Sequence, residues 1–153
     1  MDEIFAMLGP AYLVAVAVPL AVIDIREHRL ANKIVLPLVP ITLLGQVIAG
    51  LLGADWQRMG TAAIAALLAF AAGLVANRFA SLGMGDVKLI TGMTLALAWL
   101  NPFSPLVALV AGFMAATVFV LVLVMLRKTR MGSSIALGPY LLFGFATALV
   151  GSF

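Results

Sequence analysis

Of the six carboxylates in this chain, two stand where an apolar sequence has little ordinary use for a charge. Asp2 and Glu3 lie at the amino terminus, Asp55 sits beside Arg58, and Glu27 is flanked by Arg26, His28 and Arg29. Solvation accounts for those four. Asp24 instead ends one hydrophobic run and Asp86 begins another. Ionisable groups at the edge of lipid are costly and point to function by default. A structural reading of each is available. Asp86 could cap a helix, accepting backbone N–H groups at the positive end of the dipole. Asp24 ends its run, where the dipole disfavours an anion, and His28 at i+4 could offset that. The glycines tip the balance at Asp86. Gly83 and Gly85 permit positive φ and remove side-chain bulk, so another backbone can come close. A cap needs no such room, whereas a site that lays a peptide strand beside a carboxylate does.

Two carboxylates held together cannot both ionise cheaply, so they share a proton. One then acts as a base on water while its protonated partner polarises a scissile carbonyl. A low dielectric at the lipid edge strengthens the coupling, and the apparent pKa values belong to the pair. The reaction served by such a pair is water-mediated hydrolysis of a peptide bond. The chain has no cysteine, which excludes disulfides, thiolate metal sites and cysteine nucleophiles. Its one histidine, His28, provides no metal-binding cluster. Neither a metal nor a cofactor is expected.

The elements that must bring Asp24 and Asp86 together are membrane helices. The chain is 65% hydrophobic and 10% charged, with a mean hydropathy of +1.22. Soluble domains run at roughly 45–50% apolar and about 25% charged, so here the bilayer is the solvent. Long apolar runs without strand-type alternation predict an all-α protein of about six transmembrane helices in a single membrane domain, 1–153. The runs cover about 4–23, 34–53, 59–76, 87–100, 106–126 and 134–152. The second carries Pro37 and Pro40 and is expected to kink near its start. Small residues at Ala62/Ala66, Ala65/Ala69 and Gly112/Ala116 have the spacing of close helix crossings. The acidic start, Met1-Asp2-Glu3, lacks the positive region of a signal peptide, so the first run is expected to be a retained span.

Basic residues set the orientation. Arg26, Arg29 and Lys33 follow the first run, Arg78 and Lys88 flank the third loop, and Arg127, Lys128 and Arg130 follow the fifth run. Only Arg58, of the 9 Lys and Arg, falls on the other side. The positive-inside rule places those three loops in the cytoplasm and both termini outside. Asp24 and Asp86 then share a membrane face. The pI near 9.8 reflects this topology rather than nucleic-acid binding. The cluster at 127–130 could attract anionic headgroups, although topology alone explains it.

The stretch Gly83-Met84-Gly85-Asp86-Val87-Lys88 resembles the Gly-x-Gly-Asp-x-Lys motif of type IV prepilin peptidases, a family of intramembrane aspartic proteases. The stretch from Asp24 to Asn32 resembles the family's Asp followed at a distance by Ile-Pro-Asn, with Ala31 in place of the proline. Ile135 to Tyr140 is similar to its Gly-Pro-aromatic stretch. The similarity runs along essentially the whole chain in span order.

The resemblance implies an endopeptidase of the cytoplasmic (inner) membrane. It would remove the short basic leader from a prepilin or pseudopilin, just before the substrate's hydrophobic segment. Asp24 and Asp86 would be catalytic, and Gly83 and Gly85 would shape the loop. Asn32 and Lys88 match motif positions without an assigned role; for Lys88, snorkelling toward headgroups is the ordinary alternative. Larger members also methylate the new terminus through a Cys-rich domain between the first two spans. Here that loop is about ten residues without cysteine, so methyl transfer is not expected. The compact form looks most like tight-adherence (Flp) pilus peptidases or archaeal preflagellin peptidases. Two other readings stand beside this one. Asp24 and Asp86 could carry a cation or protons in a small transporter, although many transporters hold such sites nearer the midplane. The chain could also be a silent scaffold, with Asp86 a cap and Asp24 paired to His28.

Overall fold

The computed structural model describes residues 2–27, 30–126 and 136–152. All regular structure among them is helical. The first apolar run forms α1 (Asp2–Ala6) and α2 (Leu8–Glu27). The second forms α3 (Asn32–Val35) and α4 (Leu38–Leu51). Then come α5 (Trp56–Ala80), α6 (Met84–Leu100), α7 (Ser104–Met125) and α8 (Gly138–Val150). Among the described residues, four segments are long and apolar enough to cross a membrane: Ile4–Glu27, Asn32–Leu51, Trp56–Ala80 and Ser104–Met125. The protein is an all-α membrane protein in which the fourth and sixth expected runs appear as the shorter helices α6 and α8. Ser134 and Ile135, placed at the start of the sixth run, lie outside the described residues, as does the basic cluster Arg127, Lys128 and Arg130.

Local sequence explains the breaks. Pro37 has no N–H to continue the ladder, so the expected kink is a break between α3 and α4. Pro40 falls in the first turn of α4, where N–H groups lack intrahelical partners anyway. Asp55 is more than a solvated charge: it caps α5, its carboxylate accepting the Gln57 N–H at 2.8 Å. At the far end of α5, Ser81 turns left-handed (φ 55°), and Asn77 Nδ2 donates to the Leu82 carbonyl. These contacts fix the turn that leads into α6.

The core is built around α6. Eleven of its 17 residues are buried, whereas only five of the 22 in α7 are. A helix apolar and buried all round belongs inside a bundle. Here α6 is contacted by α2, α3, α4, α5, α7 and α8. Met93, Leu97 and Leu89 meet Leu38, Leu141 and Phe145 in the main cluster. Close crossings rest on small residues. A methyl added at Gly73 of α5 would lie 2.7 Å from Val87 Cγ1 of α6. Gly112 of α7 likewise admits the backbone of α8 at Tyr140, and Ala62, Ala66 and Ala116 are buried. The outer faces of α5 and α7 remain apolar and exposed, as at Leu67, Leu68, Val75 and Met114.

Candidate active site

The N-cap of α6 is Gly83, in extended conformation (φ −61°, ψ 138°), so Asp86 is the third helical residue and not the cap itself. Its carboxylate turns back to accept the backbone N–H of Gly83. This is one half of a capping box, in which a side chain three residues into the helix satisfies the cap's own donor. Glycine leaves room for this carboxylate, since a Cβ at position 83 would sit 2.7 Å from Asp86 Oδ2. The other oxygen, Oδ1, is buried with no hydrogen-bond partner among the described residues. The glycines therefore serve space and not backbone sign: Gly83 has negative φ, and the positive-φ glycine among the described residues is Gly53.

Asp24 lies in the last turn of α2 and is only 3% exposed. Its own helix presents partial negative charge there. The compensation comes from elsewhere. Gly138, the first residue of α8, donates its N–H to Asp24 Oδ2 at 2.8 Å. That donor is one of the four that every helix start leaves unpaired, and it carries the positive end of the α8 dipole to the carboxylate. A Cβ at 138 would lie 2.6 Å from Asp24 Oδ2, so any larger residue must push the carboxylate or Leu30 aside. The expected pairing of Asp24 with His28 involves a residue outside the described ones. Each acid thus meets the amino end of a helix, Asp86 at α6 and Asp24 at α8.

Between them runs the chain from Leu30 to Asn32. A Cβ at Gly85 would stand 2.8 Å from Leu30 Cβ, so the backbone that approaches this glycine belongs to the chain itself. Lys88 Nζ donates to Asn32 Oδ1 at 3.0 Å, linking α6 to α3. This gives Lys88 a bonded partner in place of simple snorkelling. Asp24, Asn32, Gly83, Gly85, Asp86 and Lys88 all line one cavity of about 300 Å³, which Leu30, Met84, Ala136 and Leu137 complete. All six residues singled out from the sequence are therefore brought together. Gly138 was marked only as part of the Gly-Pro-aromatic stretch, without a role at the site, and Leu30 was not singled out. The Gly138-Pro139 pair is visible in the sequence, but its contact with Asp24 is tertiary; Leu30 carries no signal beyond being apolar.

Asp86 precedes the apolar run 87–100 and lies outside the four long apolar segments. Burial first, and the neighbouring Asp24 charge second, push its carboxyl up from the ordinary 3.8 to about 6, while the Gly83 N–H pulls the other way. Desolvation and like charge acting together on one member of a carboxylate pair are what proton sharing requires.

The chain matches the sequence model of the type IV leader peptidase family over residues 11–125. That stretch carries both aspartates and the whole α6 entry. Neither the curated proteins nor the solved structures returned a match.

Proposed function

Because this chain belongs to the type IV leader peptidase family, we propose that it is an aspartic endopeptidase whose catalytic pair is Asp24 and Asp86. The observation that carries this reading is that two acids from separate helices line one small cavity, each at a helix amino end. Asp86, its carboxyl raised toward neutrality, holds the shared proton and donates to the scissile carbonyl. Asp24, whose Oδ2 accepts the Gly138 N–H, draws a proton from the attacking water. The tetrahedral oxygen gathers negative charge as the water adds. As that oxygen reforms the carbonyl, the C–N bond breaks and the proton taken from water passes from Asp24 to the leaving amine. Asp86 thus stays protonated and Asp24 returns to its ionised form.

The substrate is a prepilin or prepilin-like protein, cut between its basic leader and its hydrophobic segment. The excess of basic residues on one set of loops supports a cytoplasmic site in the inner membrane, with both termini outside. Methyl transfer is not part of this reading: only residues 28–31 separate α2 from α3, and no cysteine is present. The transporter reading is not favoured, since the family is one of peptidases.

The test is co-expression with a type IV prepilin, following leader removal on a gel with membrane levels matched. Wild type should cleave, while Asp24→Asn and Asp86→Asn should lose at least about a thousandfold, as variants lacking one member of a coupled catalytic unit do. Substantial cleavage by either variant would remove that aspartate from the mechanism.

A further inference from the structure

Leu30 stands at the point where the two aspartate-bearing ends meet. It is 6% exposed and belongs to the main hydrophobic cluster. Its Cβ faces Gly85, one residue before Asp86, where an added methyl would be 2.8 Å away. Its Cδ2 faces Gly138, the donor to Asp24, where an added methyl would be 2.9 Å away. One isobutyl group is thus seated between the amino ends of α6 and α8, in room left by two glycines. It also lines the cavity that holds both acids. Two residues along, Asn32 is tied to α6 by the Lys88 bond, which holds this segment in place.

We propose that Leu30 is a positioning residue that sets the separation of Asp24 and Asp86 by acting as a spacer between Gly85 and Gly138. This rests on the aspartic peptidase reading above. The reasoning is mechanical. Neither glycine has a side chain of its own to fix the gap between the helix ends, so the width of the gap is the width of whatever fills it. Shortening the filler lets the ends shift and lets water reach the carboxylates. Among the described residues, the polar and titratable groups that line the cavity are Asp24 on α2, Asp86 and Lys88 on α6, and Asn32 on α3.

Leu30→Ala should therefore reduce kcat by about 10- to 100-fold with KM nearly unchanged, the scale expected when reacting groups are displaced by about an ångström. Leu30→Met, which conserves volume, should restore kcat to within about threefold of wild type. A second readout does not need turnover. The Asp86 carboxyl band, followed by infrared difference spectroscopy against Asp86→Asn in reconstituted membranes, should titrate at lower pH in Leu30→Ala than in wild type. Burial is the largest cause of the raised value, and it weakens as water reaches the carboxylate in that variant.

A merely structural Leu30 would lower the amount of folded protein yet leave kcat per folded enzyme and the titration midpoint where they were. That result overturns the proposal. Failure of wild type to cleave any prepilin would instead overturn the peptidase reading and this inference with it. Cleavage by wild type with an unshifted Leu30→Ala overturns the spacer alone.

Discussion

The contact between Gly138 and Asp24 offers the sharpest test of how the site is held. In Gly138→Ala the new methyl would lie 2.6 Å from Asp24 Oδ2 and 2.9 Å from Leu30 Cδ2. Ordinary contact begins near 3.4 Å, so the carboxylate or the end of α8 must retreat by about 0.8 Å. That stretches the 2.8 Å bond from the Gly138 N–H beyond hydrogen-bonding range. Losing a hydrogen bond to a charged group costs about 1.5–3 kcal/mol, or about 10- to 150-fold in rate if the loss falls on the transition state. Displacing a reacting group by close to an ångström independently costs about 100-fold. The two routes converge on a kcat about 100-fold below wild type. The assay is steady-state leader cleavage by purified enzyme in nanodiscs, corrected for folded fraction by thermal unfolding. Gly60→Ala is the matched control, since a methyl at Gly60 meets nothing within 4 Å. It should cleave at the wild-type rate. A folded Gly138→Ala enzyme within about threefold of wild-type kcat would show that α8 does not hold Asp24 for catalysis.

Gly85→Val places a branched side chain where even a methyl comes within 2.8 Å of Leu30 Cβ. Overpacking of that kind costs about 1–3 kcal/mol, and processing should fall with it; wild-type processing rates would contradict the packing of Leu30 on Gly85. The Asp86 carboxyl, raised from 3.8 to about 6, makes the native state bind more protons than the unfolded state between those values. Its contribution to stability is therefore full below about pH 4 and lost as pH rises through about 6. Asp86→Asn should flatten that part of the unfolding profile and be at least as stable as wild type at pH 7, although inactive; identical pH slopes in the two proteins would refute this. Ser81 holds a left-handed conformation (φ 55°) that glycine adopts freely. Ser81→Gly should therefore stabilise by about 1 kcal/mol in thermal unfolding, and no gain would mean that Asn77 and the turn already absorb the strain.

The six apolar runs were legible because lipid demands long stretches without charge, and each run became a helix or a pair of helices; the break at Pro37 was expected, whereas the one at Met7 in the first run was not. The identity of the central helix was not legible. Protein-facing and lipid-facing residues are equally apolar, so composition cannot say that α6 is enclosed while α7 faces outward. Asp24, Asp86, Gly83 and Gly85 could be named because buried-edge charges and paired glycines stand out in such a chain, and Asn32 and Lys88 because they match motif positions. Their supports could not be named in the same way. Leu30 is one leucine among many, and what makes it matter is the absence of side chains at Gly85 and Gly138, neither of which is its neighbour in sequence.

Asp24 shows the limit most clearly. Judged by its own helix it is misplaced, an anion at the negative end of α2, and that apparent error is what first marked it as functional. The structure supplies a partner that the sequence position did not suggest. The dipole that matters belongs to α8, whose first N–H reaches Asp24 from 114 residues further along the chain. An anion is favoured there, and the same contact keeps the carboxylate aimed into the cavity it shares with Asp86. Local electrostatics along the sequence can reveal that a charge is out of place. Only the tertiary fold supplies the partner that makes the place correct.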